Sequence, residues 1–140
     1  MLFVIFQIGD QGYALAAEQV VEILPMLPLR AVRGAPTGMA GSFAYRGNFI
    51  PAIDLCALEL GRSAADRMST RIIVTRMHDR SGGEQPVGLV VENATDILRC
   101  EPEAFSPFAT GPRGLVQRIE IDALVPTSLR VGLFDAMAAT

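Results

Sequence analysis

The chain opens on an almost continuously apolar run, Met1–Ile8, the pattern of a strand covered on both faces rather than half exposed. Gly9-Asp10-Gln11-Gly12 reads as a turn, and Tyr13–Ala16 begins the return strand. Ala17–Gln19 has room for one helical turn. Val20, Val21, Ile23 and Leu24 form a third strand around Glu22, ended by Pro25 and Pro28. Leu29–Pro36, which carries Arg30, Arg33, Gly34 and Pro36, is expected to be an exposed loop.

The most specific stretch follows, Gly41–Leu55. Two strand-prone runs, Ser42–Tyr45 and Asn48–Ile53, are separated only by Arg46-Gly47, which predicts a β-hairpin with Gly47 free to take a positive φ. Arg46 then stands at the hairpin tip and is expected to project away from the barrel wall. Pro51 inside the second run argues for an edge or a bulge, because proline cannot donate to a ladder. Asp54 is placed as a helix N-cap before Leu55, Ala57, Leu58 and Leu60, and Gly61 as the residue that closes that short helix.

Arg62–Ser69 is polar and reads as a linker between two halves. Arg71–Met77 is rich in β-branched residues and predicts a strand. A loop containing Ser81-Gly82-Gly83 joins it to the strand Val87–Val91. Glu92-Asn93 is expected to kink the chain before Ala94–Arg99 continues. Leu115–Ile121 is read as a last strand, and Asp122–Leu124 with Pro126–Met137 as short helices, proline being tolerated in a first helical turn. Short strands, few helices and a linker near the midpoint point to an all-β fold of two small packed barrels, divided near residues 62–69.

The chain has 140 residues, 50% of them hydrophobic and 19% charged, with mean hydropathy +0.33. A domain this apolar is expected to leave some apolar surface exposed, where it marks partner sites. No run approaches the roughly 18 apolar residues of a membrane span. Leu2–Phe6 lacks the basic flank and cleavage site of a signal peptide. The formal net charge of −3 has the wrong sign for a general nucleic-acid binder, and every basic residue is arginine. A nucleic-acid-binding small barrel, the alternative reading, would need aromatic platforms interleaved with basic residues. Aromatics are 6% here, tryptophan is absent, and most aromatics sit inside apolar runs.

Candidate chemistry is sparse. Cys56 and Cys100 read as buried small apolar residues of a cytosolic protein. His78, the only histidine, reads as a solvated strand-end residue. One histidine and two distant cysteines build no metal site of ordinary spacing, and no phosphate loop, nucleophile elbow or paired-carboxylate pattern is present. Neither an enzyme, nor a cofactor, nor a metal is expected. Arg46 is either a partner contact or a solvated turn residue. Glu22 is either a contact or an edge charge that discourages sheet-to-sheet pairing.

Three blocks line up with one family: IGDQGYALAAEQVVEI at Ile8–Ile23, the proline-to-helix stretch Pro36–Leu55, and VGLVVENATDI at Val87–Ile97. In this order and spacing they resemble the CheW-like domain, the adaptor module of bacterial chemosensory arrays, from residue 2 to roughly residue 100. The resemblance implies two SH3-like barrels sharing a hydrophobic seam and short helices, with the whole of residues 1–140 as one domain. It implies a cytoplasmic, non-enzymatic protein that couples a chemoreceptor's signalling tip to the regulatory domain of a histidine autokinase. It carries partner binding onto Arg46, Val20 and Glu22, and onto the hairpin glycines Gly41 and Gly47. The Val20–Leu24 strand and the Arg46 hairpin are expected to engage different partners or different faces of an array, so that one molecule bridges receptor and kinase.

The chain departs from the family pattern at Ala44, where asparagine is usual, and at Glu92, where aspartate is usual. Pro107–Gly114 is too short for the further strand the family carries before its last one. Either the second barrel lacks that strand, or residues are absent from the sequence. The ending, GLVQRIEIDALVP followed by SLRVGLF, resembles the branch that serves surface-sensing (Wsp-type) systems.

Overall fold

The computed structural model describes residues 1–139. Nine strands run in chain order: β1 Leu2–Ile8, β2 Gln11–Ala16, β3 Glu22–Pro25, β4 Met39–Tyr45, β5 Asn48–Asp54, β6 Arg71–His78, β7 Glu84–Arg99, β8 Phe108–Gly111 and β9 Gly114–Arg118. Three α-helices, α1 Leu55–Leu60, α2 Ile121–Leu124 and α3 Thr127–Ala138, complete it, with 3-10 turns at Ala17–Gln19 and Pro102–Ala104. The fold is mostly β, two small SH3-like barrels with short helices between and beside them.

The long strand β7 belongs to both barrels. Its first half pairs antiparallel with β6 from His78↔Glu84 to Arg71↔Val91 and parallel with β5 at Ala52↔Gly88 to Asp54↔Val90. Its second half pairs with β1 from Gln7↔Glu92 to Leu2↔Arg99. Between them Asn93 takes φ 50 and the β1 register shifts between Ile5 and Gln7, so the expected kink at Glu92-Asn93 is a bulge that turns β7 from one barrel into the other.

This pairing corrects the expected division at residues 62–69. Barrel one holds β3, β4, β5, β6 and the start of β7, while barrel two holds β1, β2, the end of β7, β8 and β9. The N-terminal hairpin therefore joins the C-terminal strands, with β2 parallel to β9 at Gly12↔Val116 to Ala14↔Arg118. The polar segment 62–69 is no free linker either. Ala64 N–H donates to Asp54 at 2.9 Å, Ala65 N–H to Glu92 at 2.7 Å, and Ser69 Oγ bonds Asn93 Oδ1 at 3.0 Å.

The expectation of a missing strand is also corrected. Phe108–Gly111 is β8, paired antiparallel with β9 from Phe108↔Gln117 to Gly111↔Gly114. Four residues suffice because Pro112-Arg113 close the hairpin directly and β8 is the last strand of its sheet, so it has only one neighbour to match. The expected strand to Ile121 stops at Arg118, and Ile121 opens α2 instead.

Period-2 alternation explains the three cores. On β1, Val4, Phe6 and Ile8 enter the seam between the barrels while Phe3 and Ile5 enter barrel two with Ala14, Ala16, Ala109 and Val116. On β6, Ile72 and Val74 face barrel one, beside Phe43, Ile50 and Ala52, while Ile73 and Met77 face the seam. The doubly covered first strand follows from this: both of its faces are apolar because both are interiors. α3 finishes the seam with Leu129 and Leu133, the latter fully buried, and Ala136 continues the buried i, i+4, i+7 stripe of that helix. Cys56 is also fully buried there, and burial pushes its thiol up to about 11.

Candidate functional site

The hairpin forms as its two central residues require. Tyr45↔Asn48 closes β4 on β5, and Arg46 and Gly47 take φ 48 and 85, both positive as a type I′ turn demands. Pro51 costs no ladder bond: its partner Ser42 turns both backbone groups to Arg30, each at 2.8 Å. That contact needs Gly41. The register shifts between Met39 and Gly41, φ at Gly41 is 141°, and a Cβ there would stand 2.6 Å from the Arg30 carbonyl oxygen. Asp54 caps α1 through Ala57 N–H at 3.1 Å and Gly61 ends the helix in the left-handed conformation, φ 72.

β3 pairs with β6 at Glu22↔Val74, and barrel closure brings this strand under the hairpin turn. Arg46 Nη2 donates to Glu22 Oε1 at 2.9 Å, and Tyr45 Oη donates to the same oxygen at 2.9 Å. The Arg46 guanidinium lies over the Tyr45 ring, 5.2 Å from its centroid. The Tyr45 ring meets Phe43 edge-on, at 6.5 Å, and so ties the cluster to the core of barrel one. Desolvation and the bond to Glu22 raise the Tyr45 phenol above its ordinary value, so it stays a donor. The Arg46 side chain is 70% exposed and that of Glu22 39%. Arg46 does not project away from the barrel wall as expected: the Glu22 carboxylate and the Tyr45 ring draw it back along the wall, while its side chain stays largely exposed.

The five residues singled out in the sequence play three different parts. Glu22 and Arg46 meet in one exposed pair. Gly41 and Gly47 shape backbone: nothing lies within 4 Å of a Cβ on Gly47, whereas Gly41 is packed under Arg30. Val20 follows the 3-10 turn, ahead of β3, and is partly buried against the seam core. Tyr45 was missed. Its alternation marks it only as a strand residue, and no short-range pattern announces a partner 23 positions away.

A second polar cluster sits where β7 changes barrels. Burial opposes ionisation of Glu92, but the Ala65 amide, Arg62 and the Cys56 thiol bond its carboxylate and hold it below the usual range. Every partner is structural, so this cluster pins the 62–69 segment. Asp79 closes the β6–β7 loop, accepting from the Ser81 hydroxyl and from Gln85, and these bonds hold its carboxyl low as well. His78 is exposed at the end of β6. Among the described residues no group of histidine, cysteine, aspartate or glutamate has the geometry to hold a metal ion, and no helix is long and apolar enough to cross a membrane.

Sequence and fold comparisons agree with this architecture. A probable chemotaxis protein CheW of Rhizobium etli is 34% identical over 102 residues, which is 73% of this chain and 63% of that protein. A chemotaxis protein CheW of Helicobacter pylori is 30% identical over 106 residues, 75% of this chain and 61% of that one. The chain thus spans less than two thirds of the length of both relatives. The crystal structure of the scaffolding protein TtCheW from Thermoanaerobacter tengcongensis superposes with a TM-score of 0.74, covering 93% of this chain and 90% of that one at 19% identity. The CheW-like domain family matches residues 2–123, which takes in both barrels and the Tyr45–Glu22–Arg46 cluster and stops short of α3. The chain belongs to the CheW-like domain family.

Proposed function

We propose that this domain is a non-enzymatic adaptor that couples a chemoreceptor's cytoplasmic signalling tip to the regulatory domain of a histidine autokinase, within a bacterial chemosensory array. The observation that carries the reading is the exposed Glu22–Arg46 pair, braced by Tyr45 on a rigid barrel wall with no reacting centre beside it. Braced, solvent-exposed charges with unused donors suit recognition, because little side-chain freedom is lost when a partner binds. Family membership supports the adaptor role, and the names of the Rhizobium and Helicobacter relatives place their own function in chemotaxis.

An adaptor without chemistry acts only through contacts that differ between two states of its partners. Glu22 and Arg46 form one contact region, so a molecule that bridges receptor and kinase uses a second surface elsewhere. The test is to measure binding of the purified domain to a receptor-tip fragment and to a kinase regulatory domain from the same array. Binding of both, with one of them weakened by Arg46→Glu, supports the reading. Binding of neither overturns it.

A further inference from the structure

Beside the hairpin lies a second feature that the Glu22–Arg46 pair does not use. Phe49, on β5, is 57% exposed, and the Arg30 guanidinium sits 5.8 Å from its ring centroid. This cation-on-ring ridge is flanked on one side by an apolar hollow of 460 Å³, walled by Leu27, Pro28, Leu29 and Ala44. On the other side is a smaller hollow of 320 Å³ over Val32, edged by Met137 of α3. Ala44 stands directly across the hairpin from Phe49, and its small side chain keeps the first hollow open.

The charge on the stretch of chain that builds this ridge is one-sided. From Ile23 to Ile53 the chain contains no aspartate or glutamate, but it contains Arg30, Arg33 and Arg46. All fifteen acidic residues, against nine of the twelve arginines, therefore lie in the rest of the chain. Arg46 is answered by Glu22, whereas Arg30 and Arg33, both exposed, form no ion pair among the described residues. An aromatic ring beneath Arg30 leaves the outward N–H donors of the guanidinium unspent.

We propose that the Phe49–Arg30 ridge is a docking surface for an acidic protein segment that places apolar side chains in the hollows and carboxylates on Arg30 and Arg33. This deepens the adaptor reading by giving one partner its chemistry. A protein segment fits better than an anionic membrane: the patch has only two unanswered cations on an acidic protein, whereas its hollows are shaped for individual side chains. Arginine over an aromatic at the centre of an apolar patch is also the composition in which binding energy concentrates.

The experiment titrates the isotope-labelled domain with a synthetic peptide that carries leucines on one helical face and glutamates elsewhere, and with its counterpart in which lysine replaces glutamate. The acidic peptide is expected to shift the amides of Leu27, Leu29, Arg30 and Phe49, and to bind about tenfold more weakly to Arg30→Glu and Phe49→Ser. Its affinity should fall severalfold between about 50 and about 500 mM salt. Both side chains are exposed and the Arg30–Ser42 contact is made by backbone, so an unchanged far-ultraviolet spectrum and melting temperature should accompany the loss. Arg30→Gln, which keeps size and loses charge, should fall between wild type and Arg30→Glu.

Equal binding of the lysine peptide, binding of the acidic peptide undiminished in both variants, or no binding of it would overturn the proposal. So would Arg30-dependent capture of the domain by phosphatidylserine vesicles with no peptide binding. If the receptor tip and kinase domain bind while the acidic peptide does not, the ridge proposal fails and the adaptor reading stands.

Discussion

Tyr45 and Arg46, adjacent in the chain, converge on a single oxygen of Glu22, each at 2.9 Å. Neighbours in a strand normally point to opposite faces. The type I′ turn begins at Arg46, and its positive φ swings that side chain back to the side on which Tyr45 lies. The pair is exposed, so its own contribution to stability is small, under about 1 kcal/mol. Glu22→Arg and Arg46→Glu are expected to leave the melting temperature nearly unchanged and to weaken the same partner. The charge-swapped double variant should recover part of that binding. Isothermal titration of each variant against receptor-tip and kinase fragments checks this. Separate losses, one partner for each variant, would restore two independent contact regions.

The two hairpin glycines should differ in cost. Gly41→Ala must move a methyl group away from the Arg30 carbonyl at a φ that side chains avoid, a loss on the order of 3 kcal/mol and a fall in melting temperature of about 10 °C. Gly47→Ala meets open space and pays only for its positive φ, about 1 kcal/mol. Calorimetry on the two variants gives the ratio.

Asp54 is buried and spends both carboxylate oxygens on backbone, one on Ala57 N–H and one on Ala64 N–H. Asp54→Ala is expected to cost about 2 to 3 kcal/mol in urea unfolding, the sum of a lost cap and an orphaned amide. Asp54→Asn, which keeps an oxygen for the cap, should cost less.

Glu92 is held ionised in the folded state below its unfolded value of about 4.3. A depressed carboxylate stabilises fully above the unfolded value, and that contribution is lost as pH falls through the folded one. Glu92→Gln should therefore destabilise the domain at pH 7 and lose that penalty progressively below about pH 4. Stability curves of both proteins across this range must converge toward low pH. Parallel curves would mean that packing, not charge, is what the substitution removes.

The Cys56 thiol, buried and raised to about 11, should stay unmodified by iodoacetamide at pH 8 in a Cys100→Ser variant until denaturant is added. Mass spectrometry before and after unfolding reads this directly.

Local rules were enough for the hairpin, the Asp54 cap, the Gly61 stop and the doubly buried first strand, because each depends on residues within a few positions or on a face-by-face apolar count. They were enough, too, for the resemblance to an adaptor family, whose blocks are short and ordered. What the chain did not disclose is how strands are shared. The division near 62–69 was wrong because β7 enters both barrels and β1 returns to pair with it, a choice made by the bulge at Asn93 and by two apolar faces that each need an interior. The four-residue β8 was misjudged because an edge strand has only one neighbour to satisfy. The Tyr45–Glu22–Arg46 cluster lies beyond any local pattern, since barrel closure alone brings β3 beneath a hairpin more than twenty residues away. Sequence determined which residues are strand, turn and cap; only long-range closure, which depends on contacts far apart in the chain, decided which of the exposed charges became neighbours.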